Sequence, residues 1–193
     1  MALSTGSNKI KTAVFISGAG SNLKNLIKFS NLKKSPISID LIISDNLKAD
    51  GLNYGKVFKI KRKIFNFKNK NKTEEKVISE LKKDKINLIC LAGFMKVLSK
   101  NFIKKFKGKI LNIHPSLLPK YKGLNTHQRA IENNEKFSGC TVHYVNSKLD
   151  SGKIILQKKV IIKKNETQKS LAKKILTQEH KLYPKAVLKI FSL

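Results

Sequence analysis

Three side chains in the second half of the sequence, Asn112, His114 and Asp150, are of the types that move a proton and steady a developing oxyanion. Asn112 and His114 stand two apart in an apolar run closed by Pro115, so on a strand both point to one side. At the carboxyl end of a parallel strand that side faces the crevice where α/β sheets bind ligands. A neutral amide donor beside a group that titrates near neutrality suits an acyl transfer through a charged tetrahedral intermediate. The alternative is a structural histidine before a proline. Spacing alone does not bring Asp150, in Leu149-Asp150-Ser151-Gly152, to His114. No serine or cysteine sits in a nucleophile-elbow pattern, which argues against a covalent acyl-enzyme.

A second candidate lies near the start. Gly18-Ala19-Gly20-Ser21-Asn22 follows the apolar run Thr12-Ala13-Val14-Phe15-Ile16 and precedes Leu23, Leu26 and Ile27 at helical spacing. Strand, glycine loop and helix together put backbone N–H groups at the positive end of a helix dipole, a cradle for phosphate. It is neither a dinucleotide fingerprint, because Leu23 holds the third glycine's place, nor a P-loop, because no Gly-Lys-Ser/Thr follows. A terminal phosphate monoester suits it better than a pyrophosphate; a plain tight turn between strand and helix is the alternative.

The elements that must hold these residues follow from periodicity. Ile37 to Ile43 reads as a strand, Val57 to Ile60 as a third short strand, Thr73 to Lys83 as a helix and Ile86 to Leu91 as a buried strand. Alternation of βα units predicts a parallel sheet. Gly139 to Val145 alternates, with Cys140, Val142 and Tyr144 against Thr141 and His143. Lys153 to Ile162 follows through the Asp150-Ser151-Gly152 turn, so an antiparallel edge is expected on an otherwise parallel sheet. Thr167 to Lys189 is a long amphipathic stretch that Pro184 is expected to kink or interrupt. Residues 116–123 form a proline-punctuated loop, and the lysine- and asparagine-rich 61–72 is the expected mobile segment.

Composition bounds the classes. A chain of 193 residues has room for one domain with a sizeable core, expected over residues 10–193 after a flexible extension at 1–9. The formal charge of +29 invites a nucleic-acid reading, but only Arg62 and Arg129 are arginines and the lysines run from end to end. A surface that reads nucleic acid usually enriches arginine on one face. The milder consequence is a field that attracts phosphorylated small molecules and is screened by salt. Cys90 and Cys140 lie in apolar stretches without metal-ligand spacing and read as reduced core residues of a cytoplasmic protein. No apolar run approaches the roughly 20 residues of a membrane span, and no signal-peptide pattern opens the chain.

The string Asn112-Ile113-His114-Pro115-Ser116-Leu117-Leu118-Pro119-Lys120-Tyr121, with Leu149-Asp150 downstream, resembles the signature of the folate-dependent formyltransferase family. Gly18-Ala19-Gly20-Ser21-Asn22-Leu23, Leu91-Ala92-Gly93-Phe94-Met95, Gly123-Leu124-Asn125-Thr126-His127 and Thr177-Gln178-Glu179-His180 are similar to the members that formylate glycinamide ribonucleotide in purine synthesis. The likeness spans about residues 10–190 and implies a Rossmann-like, mostly parallel twisted sheet flanked by helices. It implies 10-formyltetrahydrofolate as formyl donor, direct transfer without a metal, and catalysis by Asn112, His114 and Asp150. It further implies that Gly20, Ser21, Asn22 and Glu179 hold the ribonucleotide. The folate pocket would be lined by Met95, Lys96, Val97, Leu98, Asn112, Asn146, Ser147, Lys148, Leu149 and Asp150. Two positions depart from the family: Lys70 stands where a basic residue, often arginine, meets the folate tail, and Asn125 replaces a common histidine. Members acting on initiator methionyl-tRNA carry a further RNA-binding domain and deformylases a regulatory one, so a chain of this length is expected to be neither. Its expected partners are the two small-molecule substrates, with no specific nucleic acid and no membrane, the chain acting as a monomer or weak homodimer.

Overall fold

The computed structural model describes residues 9–191. Seven strands form one sheet: β1 (Ile10–Ile16), β2 (Ile37–Ser44), β3 (Lys61–Ile64), β4 (Leu88–Leu91), β5 (Lys109–His114), β6 (Phe137–Tyr144) and β7 (Ile154–Ile161). Their order is β3-β2-β1-β4-β5-β6-β7; β1 to β5 run parallel, and β6 is antiparallel to both β5 and β7. The expected α/β class and antiparallel edge are both present. The chain winds outward from β1 to β3, then returns to β4 on the other side. This reversal opens a crevice at the carboxyl ends of β1 and β4.

The helices are α1 (Ser21–Ser30), α2 (Leu52–Val57), α3 (Lys70–Lys83), α4 (Lys100–Lys105), α5 (Thr126–Glu132) and α6 (Gln168–Ile190). Successive strand residues feed opposite layers. Val14 and Ile16 pack with Leu23 and Leu26 of α1 and Leu171, Ile175 and Tyr183 of α6. Ala13 and Phe15 pack with Val77 and Leu81 of α3 and Phe102 of α4. Covered on both sides, Ala13 to Ile16 are fully buried, which is why β1 reads as a continuous apolar run rather than an alternation. At the open edge, β7 buries only Ile155 and exposes Lys158 and Lys159, charges that oppose edge-to-edge pairing.

Three expectations are corrected. Val57 to Ile60 is not a strand: α2 ends at Val57, Lys59 turns the chain with a φ of 54°, and the Ile60 N–H donates to the Gly55 carbonyl at 2.9 Å. The strand is the next segment, Lys61–Ile64, whose four side chains are all exposed at the sheet edge and so carry no apolar signal. The segment 61–72, expected to be mobile, thus carries β3 and the first turn of α3. Lys61 pairs with Asp84 at 2.8 Å, and Asn69 caps α3 by accepting the Lys72 N–H at 3.2 Å. Finally, of the kink or interruption expected at Pro184, the interruption is absent: α6 runs through it. Proline removes the hydrogen that would reach the His180 carbonyl, and Asn25 Nδ2 of α1 donates to that carbonyl instead, at 2.5 Å. The extension expected at 1–9 lies, apart from residue 9, outside the described residues. No helix among those residues is long and apolar enough to cross a membrane.

Candidate active site

The crevice is an open cleft of about 920 Å³ over the carboxyl ends of β1, β4 and β5. On one wall β1 delivers the glycine loop. Gly20 turns the chain with a φ of 70°, a conformation strained for any side chain, and a Cβ there would lie 2.7 Å from the Cα of Gly51. The Gly51 N–H in turn donates to the Gly18 carbonyl at 3.0 Å, which fixes the loop against the start of α2. The first N–H groups of α1, including those of Ser21 and Asn22, have no carbonyl partner within the helix and sit at its positive end. The Asn22 side chain turns away to α6: its Nδ2 donates to Glu179 Oε2 at 2.7 Å, and both residues are buried. Asn22 Oδ1 is buried without a partner among the described residues. Burial pushes the Glu179 carboxyl up to about 7, against the opposing hydrogen bond from Asn22.

The opposite wall carries the second cluster, drawn from four separate segments. Asn112 and His114 end β5, placed side by side as their spacing requires; Tyr183 of α6 directs its hydroxyl at the Leu91 and Leu111 carbonyls, 3.0 and 3.2 Å away, fixing the tips of β4 and β5. His114 Nε2 lies 2.9 Å from the Tyr121 carbonyl, which can only accept, so Nε2 carries a hydrogen. Its Nδ1 faces Asp150 Oδ2 at 3.4 Å. Asp150 Oδ2 also accepts the Gly123 N–H at 2.9 Å, and Oδ1 lies 3.4 Å from Asn112 Nδ2.

The loop that brings Asp150 here runs from residue 145 to 153. Its two ends are pinched together where the Tyr144 N–H donates to the Lys153 carbonyl at 2.9 Å. A Cβ on Gly152 would lie 1.7 Å from the Tyr144 carbonyl oxygen, so only glycine permits the pinch. The 116–123 loop is clamped from below: Thr141 Oγ1 donates to the Ser116 carbonyl at 2.6 Å, and Gln157 Nε2 to the Leu118 carbonyl at 2.8 Å.

His143 is the residue that sequence reasoning passed over. It pairs with Asn112 across the β5–β6 ladder and is 2% exposed. Its Nδ1 meets the Tyr144 carbonyl at 2.8 Å and must donate; its Nε2 lies 3.2 Å from Asn112 Nδ2 and 3.7 Å from Asp150 Oδ1. The ring thus orients the Asn112 amide, whose Nδ2 lies between His143 and Asp150. The alternation at 139–145 was visible in the sequence, but the register that sets His143 opposite Asn112 was not.

Burial lowers the His114 pKa, outweighing the Tyr121 carbonyl and the Asp150 charge that raise it. The Asp150 carboxyl is lowered overall: burial alone would raise it, and His143, the Gly123 N–H and His114 together overcome that. At neutral pH the resting pair is therefore a neutral imidazole facing a carboxylate. His127, on the same cleft, also falls below the ordinary imidazole range through burial and proximity to His114. Cys90 and Cys140 are free and buried, their thiols pushed up to about 12 by burial.

Gly20, Ser21, Asn22, Met95, Lys96, Val97, Leu98, Asn146, Lys148, Leu149 and Glu179 all line the cleft with Asn112, His114 and Asp150. Lys70 and Ser147 do not: Lys70 is exposed in the first turn of α3, outside the cleft wall. Asn125 lines the cleft with a φ of 56°, a conformation asparagine tolerates better than most residues. No group of three or more metal-ligating side chains occurs among the described residues.

A family profile described as formyl transferase matches residues 10–187. The phosphoribosylglycinamide formyltransferase of Haemophilus influenzae is 42% identical over 94% of this chain and 87% of that protein. The human trifunctional purine biosynthetic protein adenosine-3 is 40% identical over 93% of this chain, which spans only 18% of that longer protein. Among solved structures, phosphoribosylglycinamide formyltransferase from Brucella melitensis superposes with a TM-score of 0.89 at 40% identity, covering 95% of this chain and 96% of that one. The Bacillus halodurans enzyme of the same name gives 0.90 at 34% identity, covering 94% and 95%. By the extent of the profile match, and by relatives aligned along nearly their whole length, the chain belongs to the formyl transferase family.

Proposed function

We propose that the chain transfers a formyl group from 10-formyltetrahydrofolate to the primary amine of glycinamide ribonucleotide, a step of purine synthesis. The observation that carries this reading is a single cleft with a helix N-terminus suited to a phosphate monoester on one wall and the Asn112, His114 and Asp150 cluster on the other. The relatives named above for this activity support it. Between the walls, Met95, Val97 and Leu149 present exposed apolar side chains suited to the flat ring system of a folate.

In this mechanism the amine nitrogen bonds to the formyl carbon, and the carbonyl oxygen takes up negative charge. The Asn112 hydrogen aimed at Asp150 makes only a long contact, so it is free to turn to the oxyanion. The amine proton passes to neutral His114, whose imidazolium is then stabilised by the Asp150 carboxylate and stands opposite the oxyanion. Return of that proton to the donor's N10 lets the carbon–N10 bond break, releasing tetrahydrofolate and formylated ribonucleotide. No step is assigned to a metal. The same reading places the protein in the cytoplasm with its two small-molecule substrates.

Incubation with 10-formyltetrahydrofolate and, separately, glycinamide ribonucleotide, initiator methionyl-tRNA or water tests the proposal. The expected result is loss of the donor with the ribonucleotide alone. Equal loss with water or with the tRNA would replace this reading by a deformylase or a tRNA-directed enzyme.

A further inference from the structure

Ser17, the last residue before the glycine loop, spends every polar atom on joining three strand ends. Its N–H donates to the Gly93 carbonyl at 3.1 Å, and its carbonyl accepts from Asn46 Nδ2 at 3.1 Å. Its hydroxyl donates to Asp45 Oδ1 at 2.5 Å and accepts the Met95 N–H at 2.8 Å. Asp45, just past β2, has a side chain only 8% exposed, and its other oxygen lies 3.7 Å from Lys96 Nζ. The segment running from Gly93 to Lys96 is thus gripped at a carbonyl, an amide and a side chain, all through Ser17 and Asp45. A hydroxyl has one hydrogen. By taking it, Asp45 obliges the Ser17 oxygen to present a lone pair to Met95.

We infer that Asp45 and Ser17 are positioning residues for the formyl donor, acting through the 93–98 loop that supplies Met95 and Val97 to the cleft. The inference rests on the proposed function for the identity of that ligand. Ser17 is continuous with Gly18–Asn22, so one joint sets the distance between the wall that takes the phosphate and the loop that takes the donor. Ser17 lines the cleft, whereas Asp45 does not. Removal of Asp45 acts on donor affinity first, because the joint holds the donor's loop, whereas the Gly18–Gly51 contact still holds the glycine loop.

The test combines kinetics with amide exchange. In Asp45→Ala the Met95 amide is expected to exchange faster, and the KM for 10-formyltetrahydrofolate to rise about five- to tenfold, the worth of one or two net hydrogen bonds. The KM for the ribonucleotide and the saturated kcat should change by less than about twofold on the same scale. Asp45→Asn keeps an oxygen for the Ser17 hydroxyl and should restore both exchange and donor KM. Should Asp45→Ala not fold, Ser17→Ala carries the same expectation for Met95 exchange and donor KM. Unchanged Met95 exchange, equal rises in both KM values, or failure of Asp45→Asn to restore them would overturn the inference. If the parent protein transfers no formyl group, the functional reading fails, while exchange at Met95 still reads the joint.

Discussion

The two walls of the cleft are built in opposite ways. The glycine-loop wall is contiguous: Gly18 to Asn22 lie in one turn, and their geometry is set by the Gly20 backbone and its packing on Gly51. The wall around His114 is assembled: Asn112 and His114 come from β5, the Tyr121 carbonyl and Gly123 N–H from one loop, His143 from β6 and Asp150 from another loop. A contiguous site depends on local backbone conformation and on the few contacts that brace it. An assembled one depends on the register of the antiparallel ladder and on the two loops that close over it.

If that contrast is right, substitutions should separate the walls. His114→Ala and Asp150→Asn should each lower kcat by about 10²–10⁴, the usual worth of a general acid–base group, with ribonucleotide binding nearly intact. Comparable losses in binding would merge the two walls. Next in size, Gly20→Ala strains a positive φ and meets Gly51, so ribonucleotide affinity should fall by more than about tenfold by calorimetry, with a lower Tm. His143→Ala releases the Asn112 amide and should lower kcat by about 10–100-fold without changing ribonucleotide binding.

Two predictions concern pH. Because burial lowers the His114 pKa, it is neutral above an abnormally low value, and the acid limb of kcat/KM should fall below the ordinary imidazole range. Asp150 raises that pKa, so in Asp150→Asn the limb of the residual activity should move lower still; a shift upward would contradict the assignment. The smallest effect concerns Glu179. Its folded-state pKa of about 7 exceeds its unfolded value, so its contribution to stability is fully present below the unfolded pKa and is lost as pH rises through about 7. Glu179→Gln should therefore gain on the parent by about 2 kcal/mol between pH 5 and 8.5 in denaturant titrations.

The same contrast explains what could be read in the sequence. Local rules suffice for a glycine loop between a strand and a helix, and for two polar residues alternating at a strand end. They also reach the long amphipathic α6, though not the way Asn25 makes up for Pro184. The missing pieces are relational. Nothing in Lys61–Ile64 marks a strand, because an exposed edge needs no apolar pattern. His143 acquires meaning only through its register with Asn112, and Asp150 reached His114 only by family resemblance until the Gly152 pinch explained the loop. Lys70, carried over by resemblance alone, stands outside the cleft wall.

The most direct test of separate walls is the ratio of kcat/KM for glycinamide ribonucleotide to that for the same amine without its phosphate. Loss of about 10²-fold or more, as expected when a charge-assisted phosphate contact is removed, together with slow formylation of the unphosphorylated amine, is the predicted result. Equal values for the two acceptors would contradict the assignment of the glycine loop to the phosphate.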